Sequence, residues 1–131
     1  MKIFLAGTFR ADQEAELLRN LKQKLLLKGH SVWWAMDELG RGYGSEDQKR
    51  IKQVVEVEKE QIKNSDAFVS VVKEPTPGTM MEIVFAYENG VPVYLLMSGA
   101  HDRIKESPWI KYHAKEIFES EQELLGALDS D

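Results

Sequence analysis

The chain contains no cysteine, which removes disulfides and thiolate-held metals from consideration. No apolar run approaches the roughly eighteen residues that a membrane-crossing helix needs. The opening stretch, Lys2 to Gly7, has one lysine and a short apolar run, without the length or cleavage site of a signal peptide. A cytoplasmic protein with no membrane partner is therefore expected. Basic residues are in deficit as well: 17 Lys and Arg stand against 22 Asp and Glu, for a formal net charge of −5. A surface for a nucleic-acid polymer needs clustered Lys and Arg against its phosphates. That class is excluded, whereas one nucleotide in one pocket is not. What the chain does have is apolar residues, 43% of 131, enough for a core in one compact domain spanning 1–131.

The apolar residues fall into an alternating pattern. Met1 to Gly7 reads as a buried strand. Ala11 to Lys28 carries Leu17, Leu18, Leu21 and Leu25 at helical spacing, and Gly29 follows as a helix-ending glycine. His30 to Met36 reads as a second strand. Asp37 to Asp47, rich in Gly and charge, reads as a loop. A helix over Gln48 to Asn64, a strand over Ala67 to Val72, a helix over Thr79 to Asn89 and a strand over Val91 to Met97 follow. Ser98 to Lys115 reads as irregular, with a short helix at Asp102 to Lys105. A short fifth strand at Glu116 to Ser120 and a last helix at Gln122 to Leu128 complete the chain. Strands alternating with helices predict a parallel sheet with right-handed crossovers. The expected fold is α/β: a three-layer sandwich of about five parallel strands with helices on both faces, flavodoxin-like or Rossmann-like. Ligands bind such sheets at the carboxyl ends of the strands. Those ends are Gly7 to Arg10, Asp37 to Asp47, Lys73 to Thr79 and Met97 to Asp102.

Two carboxylates stand out against that frame. Glu82 follows Thr79 by three residues, the spacing of a capping box at a helix start. That purely structural role accounts for it. Its place beside a strand's carboxyl end also suits an ionised nucleophile, favoured by the positive end of the helix. Glu58 falls within the apolar stripe of Ile51, Val54, Val55 and Ile62. It either extends out to solvent or is a buried acid with a raised pKa, suited to protonating a leaving group. The turn Gly7-Thr8-Phe9-Arg10 offers backbone amides and a guanidinium fork, which suit a phosphate or a carboxylate; a solvated Arg10 is the plainer reading. Thr76 and Ser107 read as turn hydroxyls. Trp33, Trp34, Tyr43 and Trp109 could stack a base, but adjacent Trp33 and Trp34 face opposite sides of a strand. His30, His101 and His113 lack metal-ligand spacing, and no metal site is expected.

Three stretches carry a resemblance: IFLAGTFR, NSDAFVSVV and PTPGTMMEIVFAYENGVPVYLL. They resemble the nucleoside 2-deoxyribosyltransferase superfamily, which includes the deoxynucleoside 5′-monophosphate N-glycosidases. The likeness runs from Lys2 to about Trp109, and the block from Gly78 to Pro92 is its specific part. It implies a retaining mechanism without cofactor. Glu82 matches the residue that attacks the anomeric carbon, and Glu58 stands at the place of the family's acidic partner. Arg10, Thr76 and Ser107 match residues that hold a 5′-phosphate, with backbone amides near Gly7, Thr8 and Gly78. Ser107 or Trp109 would complete a neighbour's pocket in a homodimer. Two positions depart from the pattern. Phe4 stands where the family has a tyrosine that helps place the nucleophile, and Glu58 is one methylene longer than the usual aspartate. The resemblance implies an N-glycosidase acting on a (deoxy)nucleoside 5′-monophosphate. Base exchange and a non-catalytic nucleotide-binding module are the alternatives. Each version except the last needs the two acidic side chains to converge on a sugar-sized hollow at one edge of the sheet.

Overall fold

The computed structural model describes residues 1–9, 11–40, 47–74, 76–100 and 102–129. Five strands form one parallel sheet: β1 (Lys2–Ala6), β2 (Ser31–Trp34), β3 (Ala67–Val71), β4 (Val93–Leu96) and β5 (Glu116–Phe118). Their spatial order is β2-β1-β3-β4-β5, so the chain winds outward in both directions from a central β1–β3 pair. The helices are α1 (Asp12–Leu27), α2 (Ala35–Leu39), α3 (Gln48–Lys63), α4 (Pro77–Glu88), α5 (Asp102–Lys105), α6 (Pro108–His113) and α7 (Glu121–Asp129).

Alternation along the strands divides the core between the two faces. Ile3 and Leu5 point to one side, where they meet Leu18, Leu21 and Leu25 of α1 and Leu124 and Leu128 of α7. Phe4 and Ala6 point to the other, against Ile62 of α3 and Ile83 and Ala86 of α4. Trp34 joins the first cluster and Trp33 packs against the second, as their adjacency requires. Three α1 leucines are 0–1% exposed, and each such burial contributes about 1.5–3 kcal/mol. Gly7 ends β1 with φ +149°, and a Cβ there would lie 3.1 Å from Leu18 Cδ2 and 3.4 Å from the Val71 carbonyl. The turn that leaves β1 thus fits closely over α1 and β3 only because residue 7 has no side chain.

Three expectations about the elements are corrected. The second strand stops at Trp34, and α2 takes up Ala35 to Leu39. The apolar run through Met36 is short enough to read as either state. β2 is an edge strand paired only with β1, in a register that ends at Leu5↔Trp34. The loop expected at Asp37 to Asp47 therefore begins in this helix, and residues 41–46 lie outside the described residues. The helix expected from Thr79 starts two residues earlier, at Pro77 with Thr76 as its N-cap, because the fixed φ of proline suits a first helical position. The stretch expected to be irregular before β5 contains α6, capped by Ser107 and started by Pro108. Among the described residues, no helix is long and apolar enough to cross a membrane.

Candidate active site

The carboxyl end of β1 lies under the facing helices α3 and α4. On α3, Val54, Glu58 and Ile62 follow at intervals of four and share one row. Val54 and Ile62 are 2% and 1% exposed, so Glu58 is carried inward with them and is half-buried. Val55, expected in the same stripe, is 42% exposed. On α4, Glu82 is half-buried next to the buried Ile83. The two glutamates meet. Their side chains are hydrogen-bonded to one another, and both line a cavity with Phe4, Leu5, Ala6, Gly7, Phe9 and Ala35.

Glu82 does not form the expected capping box. With α4 starting at Pro77, Thr79 is the third helical residue and Glu82 the sixth. Glu82 therefore lies beyond the first turn, where the helix dipole acts most strongly, and burial decides its protonation instead. Burial pushes the Glu82 carboxyl well above its ordinary range; the hydrogen bond with Glu58 and the Glu58 charge push it further. Burial also raises Glu58, but the hydrogen bond with Glu82 pulls it back. Both carboxyls are thus biased toward the protonated form, Glu82 more strongly than Glu58. The rise at Glu58 is in the direction expected of a buried acid, whereas the rise at Glu82 runs against the expectation of an ionised carboxylate.

The cavity's size differs from expectation too. It measures about 20 Å³, space for a single water and not for a sugar. Both glutamates line it, and so does the Phe4 ring. Phe4 is 1% exposed and stacks on Trp33 at 5.2 Å and on Phe68 at 5.5 Å.

Of the residues singled out in the sequence, Phe4, Gly7, Glu58 and Glu82 come together at this cavity. Thr8 follows Gly7 and is half-buried. Thr76 caps α4 without a side-chain hydrogen bond to the helix. Gly78 is the second residue of α4, and a Cβ there would meet nothing within 4 Å. Neither Thr76 nor Gly78 lines the cavity. Ser107 Oγ accepts the Ile110 amide at 3.5 Å, a capping role. Trp109 is 74% exposed and stacks on His113. Neither lines the cavity; on the same short helix as Trp109, Tyr112 and His113 meet Tyr87 of α4. Arg10, Tyr43 and His101 lie outside the described residues. Leu5, Ala6, Phe9 and Ala35 also line the cavity. They lack chemical functionality, and only their place at a strand's carboxyl end could have pointed to them.

No curated protein matches the chain. Among solved structures, it is similar to a 2-deoxyribosyltransferase from Bacillus psychrosaccharolyticus, with TM-score 0.80, 21% identity, and coverage of 95% of this chain and 90% of that one. It is also similar to a CMP N-glycosidase from Clostridium botulinum, with TM-score 0.66, 24% identity and full coverage of both chains. A flavoenzyme NAD(P)H:acceptor oxidoreductase from Paracoccus denitrificans aligns over 98% of this chain and 93% of its own at 13% identity, with TM-score 0.54. The fold is thus shared with a different chemistry and does not itself choose a reaction. The sequence does choose a family, because residues 3–124 match the family model for nucleoside 2-deoxyribosyltransferase. The chain belongs to the nucleoside 2-deoxyribosyltransferase family of enzymes.

Proposed function

We propose that the protein hydrolyses the bond between base and sugar in a (deoxy)nucleoside 5′-monophosphate, through a covalent glycosyl intermediate on Glu82. The observation that carries this reading is the contact of Glu58 and Glu82 at the carboxyl end of β1. Two carboxyl groups this close suit the retaining arrangement, in which one attacks carbon and the other moves a proton. Glu82 attacks C1′. Glu58 protonates the departing base and then takes a proton from the water that releases the sugar. Carboxylates alone suffice for this reaction, and the proposal includes no cofactor or metal.

Arg10, Thr76 and Ser107 hold the 5′-phosphate in this reading, with backbone amides at Gly7, Thr8 and Gly78. The open space at Gly78 and the lack of a capping bond at Thr76 support the α4 part of that cradle. Phe4 contributes a flat apolar wall. Ser107 and Trp109 do not reach the cavity of their own chain, so in this proposal they serve a neighbour's pocket in a homodimer.

Incubation with a panel of nucleoside 5′-monophosphates, read by release of free base, tests the reading. Wild type releases base from at least one of them. Glu82→Ala reduces that rate by about a thousandfold or more. Release that survives Glu82→Ala overturns the assignment of the nucleophile. A second reading, transfer of the sugar to another base, rests on the reaction that names the family. A second base added to the assay separates the two: a new nucleotide marks transfer, and sugar phosphate alone marks hydrolysis.

A further inference from the structure

Ionised carboxylates have only acceptors to offer each other. Contact between Glu58 and Glu82 through a hydrogen bond therefore needs one proton between them, and their closeness resists a second negative charge. No third charge disturbs this arrangement among the described residues. β1 and α2 present Phe4, Leu5, Ala6, Gly7 and Ala35 to the cavity, none of them titratable, and Phe9 adds another ring. On α3, Lys59 and Lys63 lie over the Phe85 ring at 5.2 and 6.0 Å. Among the described residues, the other glutamate is the only charged partner on each carboxyl.

We propose that Glu58 and Glu82 are a proton-sharing pair whose single proton is the proton later delivered to the leaving base. The inference rests on the glycosidase reading and adds what that reading leaves open, the source of the catalytic proton. Because the cavity admits no sugar while the carboxyls touch, substrate entry parts them. The proton passes to Glu58, and Glu82 becomes the anion that the reaction needs. An oxygen of Glu82 then bonds to C1′ as the C1′–N bond breaks. The electron pair of that bond stays on the base nitrogen, and the proton on Glu58 neutralises the base. Next, water bonds to C1′, the C1′–O bond to Glu82 breaks, and a water proton passes to Glu58. When the sugar phosphate leaves, the carboxyls close again and share the proton. The pair ends with the one proton it began with.

Carbon-13 NMR of the full-length protein, labelled at its glutamate carboxyls, reads the pair without any substrate. Glu82 is expected to hold its proton to higher pH than the other glutamates. In Glu58→Gln its titration midpoint falls, because the charge and the accepting carboxylate opposite it are gone. In Glu58→Asp it falls as well, since the shorter side chain draws the partner away. Kinetics read the delivery step. Glu58→Gln loses about 10²–10⁴-fold on nucleotides. It stays within about tenfold of wild type on an analogue whose p-nitrophenolate leaves without a proton. A Glu82 midpoint unmoved in Glu58→Gln, in a protein that still releases base, overturns the pair and leaves the glycosidase reading standing. A midpoint that falls in a protein that cleaves no nucleotide overturns the glycosidase reading and the delivery step together. Equal losses on both substrates overturn delivery from Glu58.

Discussion

Glu82 shows how a single residue can be located from sequence for a reason that its surroundings then replace. Its neighbourhood to a strand's carboxyl end was legible, because the β–turn–helix punctuation of Pro75, Pro77 and Gly78 is local. The loss of the expected capping box was not, because Pro77 starts the helix earlier and leaves Glu82 beyond the first turn. Its protonation was also illegible, since it depends on Glu58, twenty-four residues away along the chain, and on burial that no local pattern encodes. Glu58 was found by its row on α3, which Val54 and Ile62 anchor. The raised pKa of Glu82 has a consequence for stability. As pH rises past the ordinary carboxylate range, the unfolded chain loses this proton first while the folded protein keeps it. Stability therefore falls with pH until the folded group also ionises. Glu82→Gln removes that dependence. The variant is expected to be more stable than wild type by about 1 kcal/mol at neutral pH, with the difference shrinking in acid. Denaturant titrations at both pH values check this, and a variant less stable at neutral pH contradicts it.

At the scale of elements, long periodic segments were readable and short ones were not. α1 and α3 have enough turns to display their buried faces, and their bounds agree with expectation to within one residue. α2 and α6 have five and six residues, too few for a period to emerge. α2 continues an apolar run, and α6 is marked only by the Ser107-Pro108 start. That missed helix bears on assembly. Trp109 and Tyr112 on α6 are 74% and 66% exposed, and Met81 on α4 is 73% exposed. Large apolar side chains exposed on adjacent helices suit an interface, which supports the proposal that α6 meets a second copy. Sedimentation equilibrium is expected to give twice the chain mass, with Trp109→Ala shifting the protein toward the single chain. A single-chain mass for wild type at all concentrations would remove the homodimer from the account.

The architecture of the whole molecule follows from simple rules. Alternating elements give a parallel sheet, and the order β2-β1-β3-β4-β5 puts the reversal of winding at β1 and β3. The cavity opens at the carboxyl end of β1, as the switch-point rule requires. A core split between two faces holds α3 and α4 on one side of that point, and their facing glutamates form the candidate site. What composition and period could not show is how far the helices close on each other, and so the size of the space between them. The flavoenzyme with the same fold shows that such a scaffold accepts other chemistry. Here the claim rests on the carboxyl pair. Its most direct test is to trap the intermediate: react the protein with a nucleoside 5′-monophosphate bearing fluorine at the sugar's 2-position, digest it, and map the added mass by tandem mass spectrometry. The account predicts a fluoro-sugar phosphate on Glu82. The same adduct on Glu58 or elsewhere, or base release with no adduct formed, would contradict it.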